Sequence, residues 1–256
     1  MNFLLEILMI PAVLACIKIA VIILLFAMPL GTVLTLMERK WSAMIQDRVG
    51  PNRANIGKFT GNGVLHLAAD GLKSIFKEDT IPKGANGFLY LIAPFFGLIA
   101  AVGTFAIIPI AGPIGDFTFQ VTDVDPGLLF IFAITSLNVY GAVLAGTSSN
   151  SKFALLGGTR ASAQMISYEV FMGLALMGIF MVYGTTRVSE IVNGQNEYWF
   201  ENLVPMWGIF TQPLGFLLFF TALVAETKRA PFDAPEGESE IVAGYFLEYS
   251  GMRWSA

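Results

Sequence analysis

Long uncharged apolar runs, separated by shorter polar segments, recur along this chain from end to end. About 18 consecutive apolar residues suffice to cross a bilayer as helix. Backbone amides in hydrocarbon must satisfy one another, so such runs become helices. The pattern predicts an all-α fold, a polytopic transmembrane helical bundle of about five to six spans. Five complete spans are read at Ile19–Met37, Phe88–Ala111, Leu128–Thr147, Ser162–Tyr183 and Leu203–Ala225, and a sixth begins near Val242. Residues 1–256 read as a single integral membrane domain. One segment has a different rhythm: Val64, Leu65, Ala68, Leu72, Ile75 and Phe76 recur at helical spacing, with Asp70, Lys73 and Lys77 off the stripe. It predicts a cytoplasmic amphipathic helix lying at the membrane face.

Composition excludes a soluble protein, because 55% hydrophobic and only 13% charged residues leave too little charge to coat a water-facing surface. Charge placement then sets orientation. Arg39, Lys40, Arg48, Arg53, Lys58, Lys73, Lys77 and Lys83 follow the first span, Lys152 and Arg160 the third, Lys228 and Arg229 the fifth. The even loops hold Arg187 beside Asp116, Asp123, Asp125 and Glu190. The positive-inside rule therefore places the odd loops in the cytoplasm and the N-terminus outside. The first span does not read as a cleavable signal, since its positive charges follow the apolar run instead of preceding it.

Candidate chemistry is confined to a few places. A single cysteine, Cys16, and a single histidine, His66, exclude an internal disulfide and any Cys/His cluster for zinc, an iron–sulfur centre or paired haem ligands. No Walker loop and no GxGxxG after a strand is present. Any redox carrier must then sit on a partner or be a lipid-soluble substrate. Glu169 lies deep in the fourth span, where an acid costs about 2.5–3.5 kcal/mol on insertion scales. It is either a structural carboxylate bonded to a neighbouring helix or a group that takes up and releases protons. The loop after span five, AETKRAPFDAPEGESEIVAGYFLEYSGMRW, gathers Glu226, Asp233, Glu236, Glu238, Glu240 and Glu248. A solvated acidic face is the ordinary explanation. Pro231, Pro235 and Gly237 forbid a simple helix there, and broken backbone at membrane depth lines a cavity. Glu38, Arg39 and Lys40 at the lip of span one serve as interfacial anchors or as part of a doorway, with the amphipathic helix, for a lipid-soluble ligand.

The segments ERKWSAMIQDRVGPNR, ADGLKSIFKED, GTRASAQMISYEV and ETKRAPFDAPEGESEIVAGYFLEYSGM resemble, across the whole chain, the H subunit of proton-translocating NADH–quinone oxidoreductase. That enzyme is respiratory complex I, and the subunit is the equivalent of mitochondrial subunit 1. The resemblance implies a subunit that forms the quinone-binding chamber and couples quinone reduction to proton translocation. It places Glu38, Arg39, Arg48, Asp70, Lys73 and Phe232 on the quinone side. Glu169, Glu226, Asp233, Glu236, Glu238 and Glu240 become the proton-coupling acids. No cofactor and no metal is expected on this chain. Quinone is the substrate, while NADH, FMN and iron–sulfur clusters belong to partner subunits, one of which bears the terminal cluster. Quinone, lipids and the other subunits are the expected partners, without nucleic acid, in a bacterial plasma (inner) membrane.

Two features depart from that family. Lys228 stands where it usually has Asn. The family has eight spans, so the chain is expected to be C-terminally incomplete relative to it. The competing assignments are the equivalent subunit of a membrane-bound hydrogenase, formate hydrogenlyase or ferredoxin/F420H2 dehydrogenase complex, and an ion transporter or channel using Glu169. A purely structural anchor would leave the cost of Glu169 unexplained.

Overall fold

The structure, a computed structural model, describes residues 11–55, 57, 61–112, 120–199 and 204–255. Two compact units divide the chain, one formed by Met1–Thr80 with Ser250–Ser255 and the other by Ile81–Tyr249.

In the first unit, α1 (Pro11–Ile22) runs through a π-helical stretch, Ile23–Ala27, into α2 (Met28–Ile45). Pro29 falls in the first turn of α2, where its missing N–H is tolerated. Together these form an apolar helix of 33 residues over Val13–Ile45, longer than the predicted Ile19–Met37. Met37–Ile45 are mostly good helix formers, so the helix continues past the charged lip. It stops at Gln46 and Asp47, the latter with φ +50°. The amphipathic helix is present as α3 (Leu65–Phe76). Its stripe stays open: Leu72, Ile75 and Phe76 are 56%, 61% and 81% exposed. Beyond it, Arg253 on the short α12 (Met252–Ser255) pairs with Asp79 at 2.8 Å.

In the second unit, α4 (Gly87–Thr104) starts on Asn86, whose side-chain oxygen accepts from the Leu89 amide. One span of 22 residues is built from α5 (Gly127–Thr135) and α6 (Leu137–Ser148), which meet at Ser136. A tight turn through Asn150, with φ +52°, leads into α7 (Lys152–Tyr183), of 32 residues. The predicted loop around Lys152 and Arg160 is therefore helical. Then come α8 (Val188–Gly194), an antiparallel ribbon of β1 (Tyr198–Trp199) and β2 (Val204–Pro205), α9 (Gly208–Thr211) and α10 (Pro213–Glu226). Loop five contains α11 (Glu238–Ile241) and a 3₁₀ turn at Gly244–Phe246.

Four helices among the described residues are long and apolar enough to cross a membrane, and α10 is a shorter apolar helix. The predicted fifth span needs correction. Leu203, its start, lies outside the described residues, Val204–Pro205 form β2 and Gly208–Thr211 form α9. Gln212, at φ −138° and ψ 63°, and Pro213 interrupt the run. The 14 residues of α10 reach about 21 Å, short of the roughly 30 Å hydrocarbon core. The predicted sixth span is also corrected: Val242 and Gly244 both take φ +67°, and a 3₁₀ turn replaces a continuing helix.

Small residues set the helix packing, as expected where apolar side chains gain nothing by leaving lipid. A Cβ on Gly146 would lie 2.6 Å from the Ala154 carbonyl oxygen, and one on Gly157 would lie 2.5 Å from Gly244 Cα. The α6–α7 crossing and the seating of loop five on α7 therefore both require glycine. Loop five is held again at its end, where the Tyr249 ring stacks on Tyr90 at 4.2 Å. The Tyr90 hydroxyl donates to the Glu248 carbonyl at 2.7 Å, and the Tyr249 hydroxyl to the Tyr90 carbonyl at 3.1 Å. Large apolar side chains such as Leu25 (66% exposed) and Met181 (85%) face outward, as befits helices solvated by lipid.

Candidate functional site

Two constellations carry the predicted residues, one in each unit. In the second unit the organising residue is Gln164, on the buried side of α7. Its amide donates to the Ala225 carbonyl at 2.9 Å and to the Phe232 carbonyl at 2.7 Å. The first of these is among the last carbonyls of α10 and also accepts from the Lys228 amide at 3.1 Å, as the helix closes. The second lies beyond Pro231, in the broken loop. One side chain thus fastens both the end of α10 and the start of loop five to α7. One turn further along α7, Tyr168 packs edge-on against Phe232, ring centres 5.5 Å apart.

Glu169 on α7 and Glu226 at the end of α10 both lie near this junction. Both are half-buried. Glu226 ends α10, within electrostatic range of Glu169 on α7 and of Lys228. Its Oε2 is buried and has no hydrogen-bond partner. A buried carboxylate oxygen left unbonded costs on the order of 1–3 kcal/mol, so this group is poised for a proton or a visiting donor. The cation beside it is fixed: Lys228 takes φ +54° and donates to the Tyr245 hydroxyl at 2.5 Å, its ammonium 4.3 Å above that ring. Tyr245 in turn packs on the core of Ala142, Ala161 and Met165.

The remaining acids are spread along loop five. Glu240 is bound by Arg160 of α7 at 2.5 Å, although its side chain stays 63% exposed. Asp233 is exposed and its carbonyl accepts from the Glu236 amide at 2.9 Å, closing a turn around buried Pro235. Glu236 is half-buried. The Glu238 side chain lies outside the described residues. The structure therefore brings the end of α10 and the Phe232 backbone together on Gln164, with Glu226 within electrostatic range of Glu169, and leaves Asp233 and Glu240 exposed.

In the first unit, the Arg39 guanidinium donates to the Asp70 carboxylate at 2.5 Å, joining α2 to the amphipathic α3. Both side chains are somewhat under half exposed. A cavity of about 530 Å³ opens at Arg39, lined also by Arg48, Arg53, His66 and the irregular segment Val49–Asn52. His66 Nε2 accepts from the Arg53 and Ala54 amides at 2.9 and 3.0 Å, which shapes the cavity wall. Arg48 donates to Gln46 at 2.6 Å. Lys73, in the last turn of α3, and Glu38 are exposed. Of the predicted quinone-side residues, Glu38, Arg39, Arg48, Asp70 and Lys73 fall in this unit and Phe232 in the other.

Sequence reasoning missed Gln164, Lys228 and Tyr245 as parts of the site. Gln164 had a signal, an amide five residues before Glu169 in an apolar run. Lys228 and Tyr245 had none, because their pairing depends on how loop five folds back. No group of three or more His, Cys, Asp or Glu side chains that could hold a metal ion occurs among the described residues.

Residues 17–256 match the family model described as NADH dehydrogenase. The chain is 45% identical over 223 residues to the H 1 subunit of the NADH-quinone oxidoreductase of Cytophaga hutchinsonii, covering 86% of this chain and 62% of that protein. It is 46% identical over 224 residues to NADH-quinone oxidoreductase subunit 8 of Rhodothermus marinus, covering 88% and 62%. To the H 1 subunit of the same enzyme of Geobacter metallireducens it is 46% identical over 241 residues, covering 93% and 69%. The chain thus spans about six-tenths of the length of the first two of these relatives.

Proposed function

This chain belongs to the NADH dehydrogenase family that includes the H-type chains of NADH-quinone oxidoreductase, and from that premise we propose that it binds quinone and couples its reduction to proton movement. In this reading it works in a multi-pass bacterial plasma-membrane complex, N-terminus outside. Partner subunits carry NADH, FMN and the iron–sulfur clusters, and the terminal cluster supplies the electrons. This chain supplies polar contacts for the quinone ring from Arg39, Arg48, Asp70 and Lys73, with Glu38 of the same unit, and Phe232 of the other unit is assigned to the quinone side as well. Glu169, Glu226, Asp233, Glu236, Glu238 and Glu240 carry the response to the new charge.

The physical reason is charge compensation. Each electron added to a quinone in a low-dielectric chamber leaves negative charge on its oxygens, and that charge draws protons and repels nearby carboxylates. Acids that interact titrate as a set, so a disturbance at one changes the occupancy of the next. The single observation that carries this reading is the buried, unbonded Oε2 of Glu226, which lies within electrostatic range of Glu169. Two acids so placed are costly as scaffolding and well suited to holding a proton between them.

Glu169→Gln tests it, because an amide keeps the shape and hydrogen-bonding capacity of the carboxyl but cannot ionise. The complex should assemble to normal levels with reduced quinone-linked proton translocation, and Glu169→Asp should be milder. Normal coupled turnover at normal assembly would leave Glu169 as a packing residue and refute the proposal.

A further inference from the structure

Lys228 occupies a backbone position that does not suit a lysine. Two bonds close the end of α10, from the Lys228 amide to the Ala225 carbonyl at 3.1 Å and from the Arg229 amide to the Val224 carbonyl at 3.2 Å. In this kind of helix ending the residue after the cap turns left-handed, a place usually taken by glycine or asparagine. Lys228 fills it at φ +54°, where any side chain crowds its own backbone.

The side chain is then clamped. Its ammonium donates to the Tyr245 hydroxyl at 2.5 Å and lies 4.3 Å from the centre of that ring. Tyr245 packs in turn on the core of Ala142, Ala161 and Met165. A cation just past the C-terminus of a helix is favoured by the helix dipole alone. That accounts for a positive charge at the end of α10, but the exposed Arg229, next in the chain, serves it equally well. It does not account for a half-buried ammonium fastened to a tyrosine and set just beyond Glu226. The charged groups acting on Glu226 are Glu169 from α7 and Lys228 from the loop. The other titratable groups around the junction are engaged or turned away. Tyr168 of α7 packs on Phe232, Arg160 of α7 is paired with Glu240, Arg229 and Asp233 are exposed, and Glu236 is half-buried beyond Pro235.

We infer that Lys228 is a positioning residue for the proton held by Glu169 and Glu226: clamped by Tyr245, its charge favours the ionised form of Glu226 and so eases release of that proton. The physical basis is that a fixed opposite charge nearby stabilises a carboxylate against its protonated form. The inference rests on the reading of Glu169 and Glu226 as proton-holding acids and adds to it the group that tunes them.

The test uses the whole complex in sealed membrane vesicles at matched assembly levels, and follows protons translocated per quinone reduced as a function of pH. Lys228→Asn removes the charge and supplies a residue that tolerates the left-handed backbone. Without the cation the acids keep their proton to higher pH, so the alkaline midpoint of the profile should rise by about one pH unit. Lys228→Arg keeps the charge and should leave the midpoint in place. Tyr245→Phe keeps the ring but removes the hydroxyl that anchors the ammonium, and should give a smaller rise. An unchanged midpoint in Lys228→Asn or in Tyr245→Phe, or an equal rise in Lys228→Arg, would leave Lys228 with no part beyond closing the helix and overturn the inference. Glu226→Gln separates this result from the reading beneath it. Normal translocation in that variant would remove the acids and the inference together. Impaired translocation there, with the midpoint of Lys228→Asn unmoved, would remove the role of Lys228 alone.

Discussion

Gln164 shows how one polar side chain inside an apolar helix can organise a loop far away in sequence. It adds a second donor to the Ala225 carbonyl, which already accepts from the Lys228 amide at 3.1 Å, and bonds the Phe232 carbonyl in the proline-broken loop. Leucine of similar size would remove the link across to α7 and leave the Phe232 carbonyl without it, at about 1–3 kcal/mol. Gln164→Leu should therefore speed limited proteolysis between residues 227 and 237 and raise hydrogen exchange there, without unfolding α7. Unchanged proteolysis would mean that Tyr168, Tyr245 and Tyr249 hold the loop unaided. At this scale the sequence was partly legible. Glu169 stands out because a charge in an uncharged run is expensive wherever it points. The state of Glu226 does not, because its unbonded Oε2 depends on where α10 ends relative to α7.

Among the elements, α3 was legible in full: a 3.6-residue apolar stripe with charges off it can only be an amphipathic helix, and its stripe is exposed as a membrane-facing helix requires. The fifth span was not. A hydropathy window adds up apolar residues regardless of backbone, so it passes over Pro205, Gly208 and the break at Gln212–Pro213 that leave α10 with 14 helical residues. Likewise the charges of Lys152 and Arg160 suggested a loop, but close glycine and alanine contacts let α7 begin beside α6. The tie between α2 and α3 gives a test of the doorway. The Arg39–Asp70 pair is too exposed to contribute more than about 1 kcal/mol to stability, so Arg39→Ala and Asp70→Ala should leave the complex assembled. Each should weaken quinone reduction by about 1–3 kcal/mol for the hydrogen-bonded charge removed, while electron transfer from donor to a soluble artificial acceptor stays intact. A parallel fall in both activities would assign the pair to anchoring.

For the whole molecule, the membrane class follows from composition and run length, and the helices agree with it. Orientation rests on charge asymmetry alone. A cysteine introduced at Asn55 should react with an impermeant reagent only when the reagent reaches the cytoplasm, and one at Asp123 should react from outside. The reverse pattern would place the acidic loop on the wrong side for a redox partner in the cytoplasm. The central claim is that Glu169 and Glu226 act as one proton-holding unit, and a double-mutant cycle with Glu169→Gln and Glu226→Gln addresses it directly. The quantity to measure is protons translocated per quinone reduced, in sealed vesicles at matched assembly levels. Each single change should lower it, and the double change should lower it no further than the more severe single, because either substitution alone already disables the shared proton. Independent, multiplicative losses, or a normal ratio in either single variant, would contradict the account.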